Sequence, residues 1–130
     1  MSKARIVAID DEVEFIQMLQ DYFGLREYDI NVALRGAKGI ELVKEKKPDV
    51  VLMDLKMPGI DGDEALKLMK AMTPAPKVIF ITAYDDGGKT KARLLSLGAF
   101  ACLDKPIASL KDLEELINKA AGKIPSSREV

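Results

Sequence analysis

Acidic side chains, a threonine and a lysine stand at the ends of short apolar segments of this chain. Asp10 and Asp11 follow the first segment, Asp54 follows the third, Thr82 ends the fourth, and Lys105 comes shortly after the fifth. If the segments are parallel strands, their carboxyl ends meet at one edge of a sheet, where α/β proteins bind ligands. The sequence therefore predicts that these side chains converge on one site.

The predicted cluster would bring several negative charges close together, and this repulsion indicates what chemistry the site performs. Three carboxylates within a few ångströms oppose one another's ionisation, so such a group is retained mainly where a cation compensates it. Oxygen ligands of this kind suit Mg²⁺, and Lys105 adds a fixed positive charge. Carboxylates, a divalent ion, a lysine and a hydroxyl are the parts needed for phosphoryl transfer, with Asp54 as a candidate nucleophile.

Composition excludes several other classes of site. The chain of 130 residues has no histidine, so His-dependent triads and the usual zinc sites are excluded. Its formal net charge of −1 argues against nucleic acid as the main partner. The single cysteine, Cys102, permits no internal disulfide, which favours a reducing cytoplasm. We find no signal-peptide pattern and no apolar run long enough to span a membrane.

The elements that must position the site alternate along the chain. Five segments rich in Val, Ile and Phe are apolar on both faces, as buried parallel strands are. Amphipathic helical patterns separate them, Gly24 and Gly98 stand at expected helix ends, and Ser109 is an expected N-cap. The pattern predicts an α/β fold, a doubly wound five-stranded parallel sheet flanked by five helices. We expect one domain over residues 1–122 and a flexible tail or linker over 123–130. The five apolar segments are 4–9, 29–34, 49–53, 77–82 and 100–103.

In these motifs the chain resembles the receiver domains of bacterial response regulators. The matching pieces, in order, are Asp10-Asp11, MDLKMPGIDG at 53–62, Ile81-Thr82-Ala83, LGA at 97–99 and LDKP at 103–106. Single pieces are weak signals, but all of them in order, each at a predicted strand end, form a strong one. The resemblance implies a flavodoxin-like sheet of strand order 2-1-3-4-5.

The resemblance also implies a role for each site residue. Asp54 would be phosphorylated, and Mg²⁺ or Mn²⁺ would be held by Asp11 and Asp54, by Asp10 through water, and by the backbone carbonyl of Lys56. Lys105 would bind the phosphoryl oxygens, and Thr82 would report the phosphate to an output surface. Pro106 would follow a cis peptide bond. The domain would catalyse its own phosphorylation and dephosphorylation without turning over an outside substrate.

Two features depart from the usual receiver pattern. The family commonly has an aromatic residue three positions before the lysine, where this chain has Cys102. Phe100, on the same predicted strand face, and Tyr84 are candidate substitutes, so the expected output surface comprises Thr82, Ala83, Tyr84, Cys102 and Phe100. The loop DDGGKT at 85–90 is also longer than usual, and its two glycines predict a late or mobile start of the fourth helix.

The resemblance implies protein partners. A histidine kinase or phosphotransfer protein would supply the phosphoryl group, and a downstream protein would recognise the switched surface. We expect no direct contact with nucleic acid or membrane, and a dimer through the face of helix 4, strand 5 and helix 5 is left open.

Two alternatives stay open. A pseudo-receiver would bind partners without phosphorylation, and the departure at Cys102 is its support. An aspartate-nucleophile phosphatase of the haloacid dehalogenase type would need a second aspartate where Lys56 stands. A flavodoxin-like cofactor binder would need a phosphate-binding loop after the first strand, which the sequence does not have.

Overall fold

The computed structural model describes residues 3–123, in which a five-stranded parallel sheet lies between two layers of helices. The strands are β1 (Arg5–Ile9), β2 (Asp29–Ala33), β3 (Val50–Met53), β4 (Lys77–Thr82) and β5 (Ala101–Asp104). Their order in the sheet is β2-β1-β3-β4-β5, which confirms the predicted sheet and its order. The expected tail falls, apart from Lys123, outside the described residues.

Helices cover both faces of the sheet. They are α1 (Val13–Leu25), α2 (Gly36–Lys46), α3 (Gly62–Lys70), α4 (Lys89–Ser96) and α5 (Leu110–Ala120). One buried cluster joins the sheet to α2, α3 and α4, and a second joins its other face to α1 and α5. Because both faces are covered, β3 is buried along its whole length. None of the helices within residues 3–123 has the length and apolar character that crossing a membrane requires.

The loop after β3 contains a small ribbon that the sequence did not predict. Lys56–Met57 pairs antiparallel with Ile60–Asp61, and Gly59 turns the chain between them with a φ of 90°. A positive φ of this size suits glycine, which has no Cβ to clash. Two-residue strands carry too little periodicity to be recognised from sequence. The ribbon gives the loop beyond Asp54 a defined path.

The predicted helix ends are partly right. Gly98 follows α4 with a φ of 107°, and the Ser109 hydroxyl accepts a hydrogen bond from the N–H of Asp112 at the start of α5. The prediction for Gly24 was wrong, because α1 continues through Leu25 and the left-handed residue beyond it is Glu27, at φ 66°. Here a non-glycine residue takes the left-handed position, which residue propensity did not indicate.

Helix α4 begins late, as the two glycines predicted. Gly87 and Gly88 have φ values of 78° and 89°, outside the helical region, and regular helix starts at Lys89. Asp86 stabilises this start, since its carboxylate accepts bonds from the Thr90 N–H at 3.1 Å and the Thr90 hydroxyl at 2.6 Å. The longer loop therefore ends in an ordered cap.

Candidate functional site

Backbone hydrogen bonds extend two strands by one residue and so fix the acidic side chains at the carboxyl edge of the sheet. The N–H of Asp10 donates to the carbonyl of Ala33, and the N–H of Asp54 donates to the carbonyl of Ile9, each at 3.1 Å. Both aspartates are therefore positioned by the rigid sheet rather than by a loop.

The structure brings the three predicted aspartates together. Carboxylate oxygens of Asp10, Asp11 and Asp54 lie within 4.8 Å of one another. Asp10 is 2% exposed and Asp54 is 9% exposed, while Asp11 faces solvent. Burial raises the pKa of Asp10 above its ordinary value, and the opposing effects of Lys105 and of the Glu12 N–H do not cancel it. The cluster is thus a partly desolvated concentration of negative charge.

Lys105 supplies the fixed positive charge that the sequence predicted. Its Nζ lies 2.8 Å from Asp10 Oδ2, 2.9 Å from Glu12 Oε1 and 3.3 Å from Asp54 Oδ2. The ammonium also sits over the ring of Phe15, 4.6 Å from its centroid. Burial alone would lower the pKa of Lys105, but the hydrogen bonds and charges of these carboxylates raise it, so the side chain is cationic.

The chain around Lys105 ties the fifth strand to the fourth. The N–H of Lys105 donates to the carbonyl of Thr82 at 2.9 Å, and the Lys105–Pro106 peptide bond is cis. A second cis bond, Thr73–Pro74, was not anticipated and lies outside the site. Lys105 and Thr82 are therefore held beside each other at the same edge of the sheet.

The donor set fits a divalent cation of the Mg²⁺ type. Asp10 Oδ2 is buried and receives no hydrogen bond from the described residues, although it forms the ion pair with Lys105. A carboxylate oxygen has two lone pairs, so the ion pair with Lys105 leaves room on Oδ2 for one further ligand. Asp54 Oδ1 accepts one bond, from the Lys56 N–H at 3.2 Å. Mg²⁺ is bound by oxygen ligands, typically one or two carboxylates together with waters and phosphate oxygens, and this site offers such carboxylates.

Thr82 and Tyr84 lie along one side of the site. Thr82 is 2% exposed, and its hydroxyl accepts a hydrogen bond from the Tyr84 N–H at 3.1 Å. The Tyr84 ring is 37% exposed and lies 4.1 Å from the Lys56 ammonium, a cation–π contact. Lys56 and Tyr84 thus join the loops that follow Asp54 and Thr82.

Phe100 and Cys102 are not on one face, so that part of the prediction was wrong. Phe100 packs against the cluster under α1 and α5, whereas Cys102 packs against the cluster under α4. The reason is that β5 begins at Ala101, so Phe100 precedes the regular alternation of the strand. Burial raises the pKa of the Cys102 thiol, so the thiol is largely protonated at neutral pH.

Two ion pairs hold α4 in place, and neither was predicted. Arg93 binds both carboxylate oxygens of Asp63 on α3, at 2.8 and 3.0 Å, and lowers the pKa of that carboxyl. Lys91 pairs with Asp104, the residue before Lys105. Sequence alone cannot pair charges separated by thirteen or thirty positions on different elements. Glu12 was missed for the same reason, because its partner lies 93 positions away.

Comparison with known proteins identifies the family. Residues 6–118 match the family model described as the response regulator receiver domain. The chain is 32% identical over 116 residues to sporulation initiation phosphotransferase F of Bacillus subtilis, covering 89% of this chain and 90% of that protein. It is 38% identical over 112 residues, 86% of this chain, to regulatory protein AtoC of Escherichia coli, of which those residues span only 23%.

Solved structures agree with this result. A response regulator receiver domain protein from Clostridium thermocellum superposes with a TM-score of 0.82 at 30% identity, covering 92% of this chain and 95% of that one. The response regulator domain of Thermotoga maritima CheB gives a TM-score of 0.78, also at 30% identity, with coverage of 95% and 99%. Most of the chain is included in each comparison, so the overall fold is shared with these two structures. The chain therefore belongs to the response regulator receiver domain family.

Proposed function

We propose that this domain accepts a phosphoryl group on Asp54 from a phosphohistidine of a histidine kinase or phosphotransfer protein, and that phosphorylation changes its affinity for a downstream protein. The observation that carries the proposal is the convergence of Asp10, Asp11, Asp54 and Lys105 at one sheet edge. This set combines a nucleophile, cation ligands and a fixed positive charge.

The chemistry assigned to Asp54 is a displacement at phosphorus. An Asp54 carboxylate oxygen attacks the phosphorus, a new O–P bond forms, and the bond from phosphorus to the donor imidazole nitrogen breaks. The nitrogen keeps the electron pair, and the donor histidine leaves as a neutral imidazole because its other ring nitrogen carries a proton in the reacting phosphohistidine. Asp54 is held for this attack by the Lys56 N–H on Oδ1 and by Lys105 near Oδ2, which favours one orientation of the carboxylate.

Lys105 and the aspartates have different electrostatic roles in the proposed reaction. The Lys105 ammonium, which is 3.3 Å from Asp54 Oδ2, can bind an oxygen of the incoming phosphoryl group. Asp11 and Asp54, Asp10 through water and the Lys56 carbonyl would hold Mg²⁺ or Mn²⁺. The chemistry that this ion supplies when bound is neutralisation of charge on the phosphoryl oxygens.

The proposed readout begins at Thr82. Its hydroxyl bonds the Tyr84 N–H in this structure, and rotation toward a phosphoryl oxygen on Asp54 would release that bond. The loop from Tyr84 leads through the glycine pair to α4, so the change would reach the surface formed by α4, β5 and α5. A partner that binds one arrangement of this surface more tightly shifts the equilibrium between the two. Cys102, which lies on β5, belongs to this output surface.

The test is intact-mass measurement after incubation with acetyl phosphate and Mg²⁺. We expect wild-type protein to gain the mass of one phosphoryl group, and Asp54→Asn or EDTA to abolish the gain. Asp21→Asn is a matched control, since Asp21 is an exposed carboxylate on α1, and it should label like wild type. A folded wild-type protein that takes no label would refute the proposal and favour the pseudo-receiver.

A further inference from the structure

Lys105 faces three carboxylates, but only two of them belong to the aspartate cluster. The third is Glu12, whose Oε1 accepts a hydrogen bond from Lys105 Nζ at 2.9 Å. An ammonium has three N–H donors. In this structure Asp10, Glu12 and Asp54 surround it on one side and the Phe15 ring on another. A phosphoryl oxygen that binds Lys105 therefore competes with carboxylates that already lie within 3.3 Å of the ammonium.

Exposure indicates which carboxylate gives way. The side chains of Asp10 and Asp54 are 3% and 11% exposed, whereas that of Glu12 is 56% exposed. Moving a buried carboxylate away from its counter-ion leaves a desolvated charge, while an exposed one regains water. Glu12 is thus the partner that Lys105 loses at least cost.

The backbone of Glu12 is held by hydrogen bonds, whereas its side chain is mostly exposed to solvent. The Glu12 N–H donates to Asp10 Oδ1 at 2.9 Å, and its carbonyl accepts the first hydrogen bond of α1, from Ile16. At this N-cap position the side chain makes no capping bond within the described chain and extends to Lys105 instead. The contact is therefore an alternative to the usual local role of a cap residue.

We propose that Glu12 is a positioning residue that occupies Lys105 in the unphosphorylated site and competes with the incoming phosphoryl group for it. This inference rests on the proposed function and adds a residue that limits access of the phosphoryl group to Lys105. The site can bind a phosphodonor only when the Glu12 side chain has turned to solvent. The apparent affinity for the phosphodonor is therefore the intrinsic affinity multiplied by the fraction of molecules in which Glu12 is turned out. The maximal rate, reached when the donor saturates the site, is unaffected.

The experiment measures the rate of Asp54 phosphorylation against acetyl phosphate concentration, for wild type, Glu12→Gln and Glu12→Asp. In the reaction an Asp54 oxygen bonds to phosphorus as the bond from phosphorus to the acetyl oxygen breaks and acetate leaves. For Glu12→Gln we expect a half-saturating concentration about two- to fivefold lower, the scale of an exposed ion pair, with an unchanged limiting rate. Glu12→Asp is one methylene too short for this contact and should behave like Glu12→Gln.

Glu14→Gln is the matched control, because it removes the same charge from the exposed first turn of α1. It should leave the half-saturating concentration at the wild-type value. If Glu12→Asp has the half-saturating concentration of wild type, the negative charge acts by general repulsion of the donor and not through the contact with Lys105. That result would overturn the inference. A fall in the limiting rate of Glu12→Gln would overturn it as well.

A second measurement does not depend on phosphorylation. In the unphosphorylated protein, the ¹⁵N signal of the Lys105 ammonium should exchange its protons with water faster in Glu12→Gln than in wild type or Glu14→Gln. Equal exchange in all three proteins would overturn the inference. A wild type that fails to take the phosphoryl group while showing the exchange difference would count against the proposed function alone.

Discussion

Replacing Asp10 with asparagine tests how strongly the acidic cluster opposes folding. Asparagine keeps the size of the side chain and the Oδ1 acceptor for the Glu12 N–H. It removes one buried negative charge that lies within 4.8 Å of carboxylate oxygens of Asp11 and Asp54. We expect the metal-free variant to be more stable than wild type, because sites built for function often oppose stability.

The magnitude follows from the distances. With an effective dielectric constant of about 20, the ion pair of Asp10 with Lys105 at 2.8 Å is worth about 6 kcal/mol. Each repulsion of Asp10 by Asp11 or Asp54, at no more than 4.8 Å, costs at least ~3.5 kcal/mol. The two repulsions together exceed the attraction by about 1 kcal/mol, and the burial of Asp10 adds to that cost. For a chain of this length, 1 kcal/mol corresponds to roughly 3–5 °C in Tm.

The assay is urea denaturation of both proteins in EDTA at several pH values. The pKa of Asp10 is raised in the folded state, so its ionised form destabilises the protein above that pKa and its protonated form does not. The advantage of Asp10→Asn should therefore be complete at pH values well above the raised pKa and fade as the pH falls through it toward the ordinary value of about 4. Glu14→Gln, a change of exposed charge on α1, should stay within about 0.5 kcal/mol of wild type.

The opposite result would refute this reasoning. If Asp10→Asn loses more than about 1 kcal/mol in EDTA at neutral pH, the ion pair with Lys105 outweighs both repulsions. Asp10 would then be a stabilising partner of the lysine rather than a charge retained for a cation. Mg²⁺ should raise the free energy of unfolding of wild type, because a ligand that binds the folded state stabilises it. It should raise that of Asp10→Asn less.

Two further predictions concern the scaffold. Tyr28→Phe should lower the free energy of unfolding by about 1–3 kcal/mol, because the buried hydroxyl donates to Glu114 at 2.7 Å and accepts from Asn118 at 3.0 Å. Burial and Glu114 raise the pKa of Tyr28 to about 12. The stabilisation by the Tyr28 hydroxyl is therefore intact below about pH 10 and is lost as the pH rises from there toward 12. Urea midpoints of both proteins at pH 8 and pH 11 test both statements. Gly39→Ala should cost about 1–3 kcal/mol, since a Cβ there would lie 2.5 Å from Ile9 Cδ1, and a urea midpoint equal to wild type would contradict this.

The parallel sheet was predictable because the signals are local, whereas the order of its strands was predicted from the resemblance to receiver domains. Val- and Ile-rich segments alternate with amphipathic helices, and right-handed crossovers leave few arrangements. The convergence of Asp10, Asp54 and Lys105 followed from their places at strand ends, since parallel strands bring their carboxyl ends to one edge. Position in the sheet therefore located the site without any knowledge of side-chain contacts.

The remaining features depend on geometry that local sequence does not contain. Glu12 meets Lys105 across 93 positions, and that pairing follows from the exit angle of α1 and the path of β5. Phe100 was placed on the wrong face because a shift of one residue in the start of a strand changes which side of the sheet a residue faces. Glu27 takes a left-handed conformation that its residue type does not indicate.

The most direct test of the account is the location of the phosphoryl group. Protein labelled with acetyl phosphate and Mg²⁺ is reduced with borohydride, which converts an aspartyl phosphate to homoserine, and the digested peptides are sequenced by mass spectrometry. We predict homoserine at position 54 and unmodified aspartate at positions 10 and 11. Homoserine at another carboxylate, or at none in a folded protein, would contradict this prediction.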